Sequence, residues 1–338
     1  MDPETRNRDQ SNRSTAGGAG GNGSLRKHLR RAAIAAAIFI AVSVIATELV
    51  LFVMFGRTKP LSKEAFPLSD WSAENGFLWE AVEFPCGKNT LRGYYILPPS
   101  PRALILIAHG MHGSSDGYEP AIEWFTESGY AVLIFDGTAV GRSDGKSVVG
   151  LQQTRYDVRA AIAYVHTNEA LSDLPLVLLG HSVGAYAAAT EAETSGARAV
   201  VCVSGFDRPV TAMYRWARRY TFVLSDIEYP FLLAREYVVL GKDANTSAAA
   251  ALTDSGVPAM IVQGADDDAV MPEISLFTAL EGTDAECIVL RTESAENHSG
   301  HGNIICTPDG EPNIDLLEAI DAFLRPILGG AGTEYTDF

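Results

Sequence analysis

At 338 residues and 47% apolar content, the chain is long enough to bury one large core with an accessory segment to spare. Its formal net charge of −16 argues against a nucleic-acid partner, whose phosphates demand a basic face. The four cysteines, Cys86, Cys202, Cys287 and Cys306, form no Cys-x-x-Cys pair and show no zinc spacing, so no metal and no other cofactor is expected.

The charge is unevenly spread. Residues 1–56 carry seven Lys or Arg against four Asp or Glu, which leaves 19 against 38 for the rest of the chain. The first 24 residues are mostly polar or glycine and cannot offset the entropy of ordering. Together with Arg26-Lys27-His28-Leu29-Arg30-Arg31 they read as a disordered basic tail over 1–31. Ala32 to Phe55 is then apolar apart from Ser43, Thr47 and Glu48. At the rise of an α-helix this run reaches about 36 Å, enough to cross a hydrocarbon layer. Because the basic cluster precedes the run, the positive-inside rule places the N-terminus in the cytoplasm and the body outside, as a single-pass signal anchor. Two alternatives stay open. A signal peptide cleaved near Val44-Ile45-Ala46 would leave the body secreted, and a core helix would need no membrane.

Residues 56–76 connect this run to the body. The runs Phe77–Phe84 and Leu91–Leu97 predict a hairpin, turned at Cys86-Gly87-Lys88-Asn89. Ala103–Ala108, wholly apolar, predicts a strand buried on both faces. Helix Glu119–Ser128, strand Ala131–Phe135, helix Leu151–Asn168, strand Leu174–Leu179, helix Val183–Thr194 and strand Ala199–Val203 follow. Strand Ala259–Gln263, helix Pro272–Leu280, strand Glu286–Arg291 and helix Asn313–Leu328 complete the series. Strands alternating with helices imply an α/β fold, a mostly parallel sheet covered on both faces. Residues 205–258 break the rhythm with an aromatic, Arg-rich stretch around Tyr214-Arg215-Trp216. They read as a helical cap or lid over the site, or as a helical excursion covering the sheet. Residues 329–338 read as a flexible tail.

The stretch Leu176–Ala189 is where chemistry enters. An apolar strand runs into Gly180-His181-Ser182-Val183-Gly184 and leaves as an Ala-rich helix. This strand–turn–helix context makes Ser182 the candidate nucleophile, held in a strained turn that glycines permit. A serine hydroxyl needs a base, an acid that orients the base, and oxyanion donors. In a parallel sheet these gather at the carboxyl ends of strands. After strand 259–263 come Asp266, Asp267 and Asp268; after strand 286–291 come His298 and His301. Either histidine has the chemistry of a general base. The amide of Val183, at the start of the helix behind Ser182, is one candidate oxyanion donor. Cys202 sits inside an apolar strand and reads as a core residue. Cys287 and Cys306 flank the base-bearing segment and have the option of a disulfide in an oxidising compartment.

At these turns the chain resembles the α/β-hydrolase superfamily. Gly264-Ala265-Asp266-Asp267 matches its Gly-x-x-Asp turn and selects Asp267; the Val-Pro that should follow is here Val270-Met271-Pro272. A Gly-His pair before the last helix selects Gly300-His301, with His298 kept as the alternative base. His109-Gly110-Met111 resembles the His-Gly-x signature, which makes the Met111 amide the second oxyanion donor. A second Gly-x-Ser-x-Gly, Gly141-Arg142-Ser143-Asp144-Gly145, lacks the strand and helix around it. With Asp136-Gly137 it resembles a structural loop of the serine-aminopeptidase and monoglyceride-lipase branch. The order Ser182, Asp267, His301 is the superfamily's order.

The resemblance spans 77–328 and implies a serine hydrolase acting through an acyl-enzyme; the apolar run 32–55 adds the expectation that it is membrane-anchored. Its partners would be a small-molecule or lipid-like ester, an acylglycerol included, and the membrane. A peptidase, a thioesterase or a non-catalytic hydrolase-like binding module are the alternatives.

Overall fold

A computed structural model of the chain describes residues 20–57, 61–281, 287–292 and 298–329. It separates into two compact units, one ending at Val50 and the other beginning at Leu51. The first consists of helix α1 (Gly20–Phe55) up to Val50. Residues 20–31, expected in the disordered tail, are helical instead. Leu, Arg and Lys are good helix formers, and once the apolar run has nucleated, each added residue needs only one further hydrogen bond. Within Ser24–Phe55 the most apolar 18-residue window has a mean hydropathy of 2.6, and the helix has the length to cross a membrane.

The second unit is built on one eight-stranded sheet. After a short helix α2 (Ser69–Glu74) come β1 (Leu78–Cys86), β2 (Asn89–Leu97), β3 (Leu104–Ala108), α3 (Glu119–Glu127), β4 (Ala131–Asp136) and α4 (Gln153–Thr167). Next are β5 (Leu176–His181), α5 (Val183–Ser195), β6 (Ala199–Val203), α6 (Pro209–Thr221), α7 (Val223–Leu240) and α8 (Ala248–Ser255). The chain closes with β7 (Ala259–Gly264), α9 (Leu276–Leu280), β8 (Cys287–Thr292) and α10 (Ile314–Ile327). The strand order is β1-β2-β4-β3-β5-β6-β7-β8. The pairs β1/β2 and β2/β4 are antiparallel and the rest are parallel.

Period-two side chains sort the core into two layers. In β3, Leu104, Leu106 and Ala108 face the cluster formed with α4 and α5. Ile105 and Ile107 face the cluster formed with α3 and α10. Both faces are covered, which is why β3 to β7 read as unbroken apolar runs.

Three elements differ from expectation. Helix α2 lies within the supposed connection 56–76. The helix expected over Pro272–Leu280 begins only at Leu276, because Ser275 is extended (φ −64°, ψ 136°) and its Oγ caps the Phe277 amide at 3.1 Å. Residues 205–258 divide in role: α8 packs on α5 as part of the layer covering the sheet, and α6 reaches across the carboxyl edge. Cys306 is a buried free thiol, and the side chain of Cys287 lies outside the described residues, as do 293–297 and the tail 330–338.

Candidate active site

β5 and α5 lie so close to β3 that the turn between them tolerates no extra atom. A Cβ on Gly180 would stand 2.2 Å from the Gly184 carbonyl oxygen, and one on Gly184 would stand 2.0 Å from the Ala108 carbonyl oxygen. Between these glycines Ser182 adopts φ 58°, ψ −118°, a region costly for a residue with a side chain. The result is a hydroxyl lifted above the sheet edge and an α5 that starts directly behind it.

Two side chains from later turns meet that hydroxyl. His301 Nε2 is 2.9 Å from Ser182 Oγ, and His301 Nδ1 is 2.9 Å from Asp267 Oδ2. His298, the other histidine of this loop, is buried and its Nδ1 lies 2.7 Å from the Asn303 carbonyl oxygen. The side chain of Asp267 is nearly fully buried and its oxygens are well occupied. Oδ2 also accepts from Gln263 Nε2 at 2.8 Å, and Oδ1 accepts from the Ala269 and Val270 amides at 3.0 and 2.8 Å. Burial alone pushes this carboxyl up, but the hydrogen bond and charge of His301, helped by the Val270 amide, outweigh it and hold it below the usual carboxylate range. Asp266 turns away to accept from Ser299 Oγ at 2.6 Å. The backbone of Asp268 accepts from Arg219 of α6.

The two amides singled out as oxyanion donors flank the serine from different elements. Val183 opens α5, where position leaves its N–H without an intrahelical partner. Met111 follows Gly110, whose Cα faces Ser182 closely enough that a Cβ there would approach the serine Cβ at 3.4 Å. His109 is buried and braces this loop: its Nδ1 donates to the Gly110 carbonyl at 2.7 Å, and its Nε2 accepts the Gly137 amide at 2.9 Å. The second Gly-x-Ser-x-Gly lies apart from the serine turn. Its Arg142 amide donates to buried Asp136 at 2.8 Å, and its Ser143 Oγ accepts the Arg92 amide at 2.8 Å.

A cleft of about 710 Å³ opens over Ser182 and His301. Met111, Trp216, Tyr220 and Ile305 contribute apolar walls, while Asp268 and Arg219 add charge. Trp216 reaches back to donate to the Ala269 carbonyl at 2.7 Å, so α6 is latched to the loop that carries Asp267. Sequence reasoning did not single out Gln263, Tyr118 or His181. His181 stands inside the recognised pentapeptide, and that position was the only signal available. Among the described residues no group of three His, Cys, Asp or Glu is placed to hold a metal ion.

Chemically, a hydroxyl, an imidazole and a buried carboxylate in this order can move a proton off the hydroxyl as it attacks an electrophile. The eight-stranded sheet, its strand order and the serine turn define an α/β-hydrolase fold, and the comparisons with known proteins point to the α/β-hydrolase superfamily. Within that superfamily, the family model described as serine aminopeptidase, S33, matches residues 99–227. The uncharacterized protein YfhR of Escherichia coli O157:H7 is 32% identical over 146 residues, 40% of this chain and 48% of the relative. The chain thus spans about half the length of that curated relative. Among solved structures, the Pyrococcus furiosus esterase Pf2001 superposes with a TM-score of 0.59 at 18% identity, covering 82% of this chain and 99% of the esterase. Est1E from Butyrivibrio proteoclasticus, solved with ferulic acid bound, superposes with a TM-score of 0.54 at 20% identity, covering 72% and 97%. At these identities the likeness is one of fold.

Proposed function

We propose that the protein is a membrane-anchored serine hydrolase that cleaves a carboxylic ester or acylglycerol through an acyl-enzyme. Ser182 Oγ attacks the ester carbonyl while His301 Nε2 takes its proton. Asp267 keeps the other ring nitrogen protonated and stabilises the imidazolium that forms. The Met111 and Val183 amides hold the tetrahedral oxyanion. His301 then protonates the leaving alcohol, water attacks the acyl-enzyme by the same route in reverse, and the acid departs. The observation that carries this reading is the unbroken chain of 2.9 Å contacts from Ser182 through His301 to Asp267. The apolar cleft walls support an ester with an apolar acyl group. The helix spanning Ser24–Phe55 supports an anchor that keeps the body at a membrane, with the N-terminus cytoplasmic and the body outside.

The test is labelling by a fluorophosphonate, which reports the nucleophile without assuming a substrate. Wild type should label and hydrolyse p-nitrophenyl esters. Ser182→Ala should fail to label and lose about 10⁴-fold or more in kcat, the range seen when a nucleophile of this kind is removed. Equal labelling of both would remove Ser182 from the chemistry, and no labelling of either would favour a binding module. A second reading, an aminopeptidase, has the match to the S33 family model in its favour. Aminoacyl anilides assayed beside the esters separate the two by their relative kcat/KM.

A further inference from the structure

His181 occupies a position between two loops that never meet in sequence. Its Nε2 is 2.9 Å from the carbonyl oxygen of His301, and its Nδ1 is 2.9 Å from the hydroxyl of Tyr118. A carbonyl oxygen can only accept, so Nε2 carries the proton and Nδ1 is left as the acceptor. The Tyr118 hydroxyl therefore donates to Nδ1. Its own lone pair accepts the Gly110 amide at 3.1 Å. Every proton in the series is thus assigned a direction: Gly110 N–H to Tyr118, Tyr118 O–H to His181, His181 Nε2–H to the His301 carbonyl. The His181 ring also lies against the His301 ring, with centroids 5.1 Å apart.

We infer that Tyr118 and His181 act as a single hydrogen-bonded strut that sets the spacing between the oxyanion loop at Gly110–Met111 and the base loop at His301. Both are positioning residues, and the inference rests on the hydrolase reading given above. The physical need is plain. Ser182 is fixed by its own turn, but the Met111 amide and the His301 imidazole arrive on separate loops after β3 and β8. Acyl transfer requires both within a fraction of an ångström of one reacting carbon, and misplacement by about 1 Å costs on the order of a hundredfold in rate. A strut running loop to loop through the residue beside the nucleophile ties all three together. Burial supports the neutral form on which the strut depends, since it is the main cause holding the His181 pKa down at about 4.

The test uses the full chain, p-nitrophenyl acetate as substrate and fluorophosphonate titration to count active sites, so that kcat refers to competent sites only. Tyr118→Phe removes one hydroxyl and leaves the buried ring; it should lower kcat about tenfold with KM within about twofold. His181→Ala should lower kcat further. His181→Gln, whose amide reaches where Nε2 stands, should recover part of that loss. The double variant Tyr118→Phe/His181→Ala should be no slower than His181→Ala alone, because a strut cut once is already cut. Wild-type kcat per titrated site in Tyr118→Phe, losses that multiply in the double variant, or a Gln variant no better than Ala would each overturn the strut while leaving the hydrolase reading intact. A wild-type protein that neither titrates nor turns over overturns both together.

Discussion

Neutral His181 leaves a thermodynamic signature separate from any rate. Its native pKa of about 4 lies below the ordinary 6.5, with burial first among the causes and the neighbouring His301 second. The groups facing it are His301, Asp267, His109 and the Tyr118 hydroxyl. With the native value lowered, the unfolded chain binds more protons between pH 6.5 and 4, so stability rises with pH across that window. The contribution is fully present above pH 6.5, drains away as the pH falls towards 4, and is flat below. Its size is on the order of 3 kcal/mol. Urea unfolding from pH 7 to 4 should therefore show a steeper loss for wild type than for His181→Gln, and parallel curves would rule out a neutral imidazole at this half-buried position. Side chains of this kind were hard to read from sequence. Ser182 declared itself by its glycines and its strand–turn–helix setting. The residues alone left His298 and His301 both open, and only the Gly-His resemblance selected His301; the pairing of Tyr118 with a ring 63 residues away depended on how two loops fold over the sheet edge.

Among the elements, those buried on both faces were the legible ones. Strands β3 to β7 consist of apolar residues up to their carboxyl ends, where β4, β5 and β7 finish in Asp136, His181 and Gln263-Gly264, so their ranges shift by a residue or two at most from the expected ones. Elements with one exposed face were harder. α2 has a single buried residue, Ser72, and no apolar stripe to announce it, and α9 was shortened by a serine cap that competes with the helix for its own backbone. Residues 205–258 carried helical pattern throughout, and only the packing of α8 on α5 separates covering layer from cap. α6 is the element whose role is open to measurement. Trp216 joins it to the Asp267 loop through Ala269 and packs edge-on against Phe206, with centroids 5.9 Å apart. Trp216→Phe keeps most of the apolar bulk and deletes the donor. The expected result is a KM raised about three- to tenfold for long-chain p-nitrophenyl esters, with kcat within about twofold, since one hydrogen bond is worth roughly 1 kcal/mol and the loss falls on cleft shape. A change in kcat alone would place Trp216 in the support of Asp267 and not in substrate binding.

At the scale of the whole molecule, composition separates a basic, apolar head from an acidic body, and that separation bears on where the enzyme works. A 32-residue helix whose most apolar 18-residue window has a mean hydropathy of 2.6 fits a permanent anchor or the apolar part of a signal sequence, and the two differ in what survives in the mature protein. On the anchored reading proposed above, the basic cluster Arg26–Arg31 would lie in the cytoplasm, and Glu48 near the far end would reach the interface, where a carboxylate costs little. If the helix is an anchor, alkaline carbonate should leave the protein in the membrane pellet, and its mass there should be that of the intact chain of 36.2 kDa. A protease added outside intact cells should then degrade the body and spare the N-terminal segment. A soluble product shortened to a start near residue 47 would instead show that the helix was cleaved. The esterase reading would survive that result, because the hydrogen-bond series from Ser182 to Asp267 belongs to the unit that begins at Leu51; the preference for a membrane-derived acylglycerol would lose its physical basis, since nothing would hold the cleft near lipid.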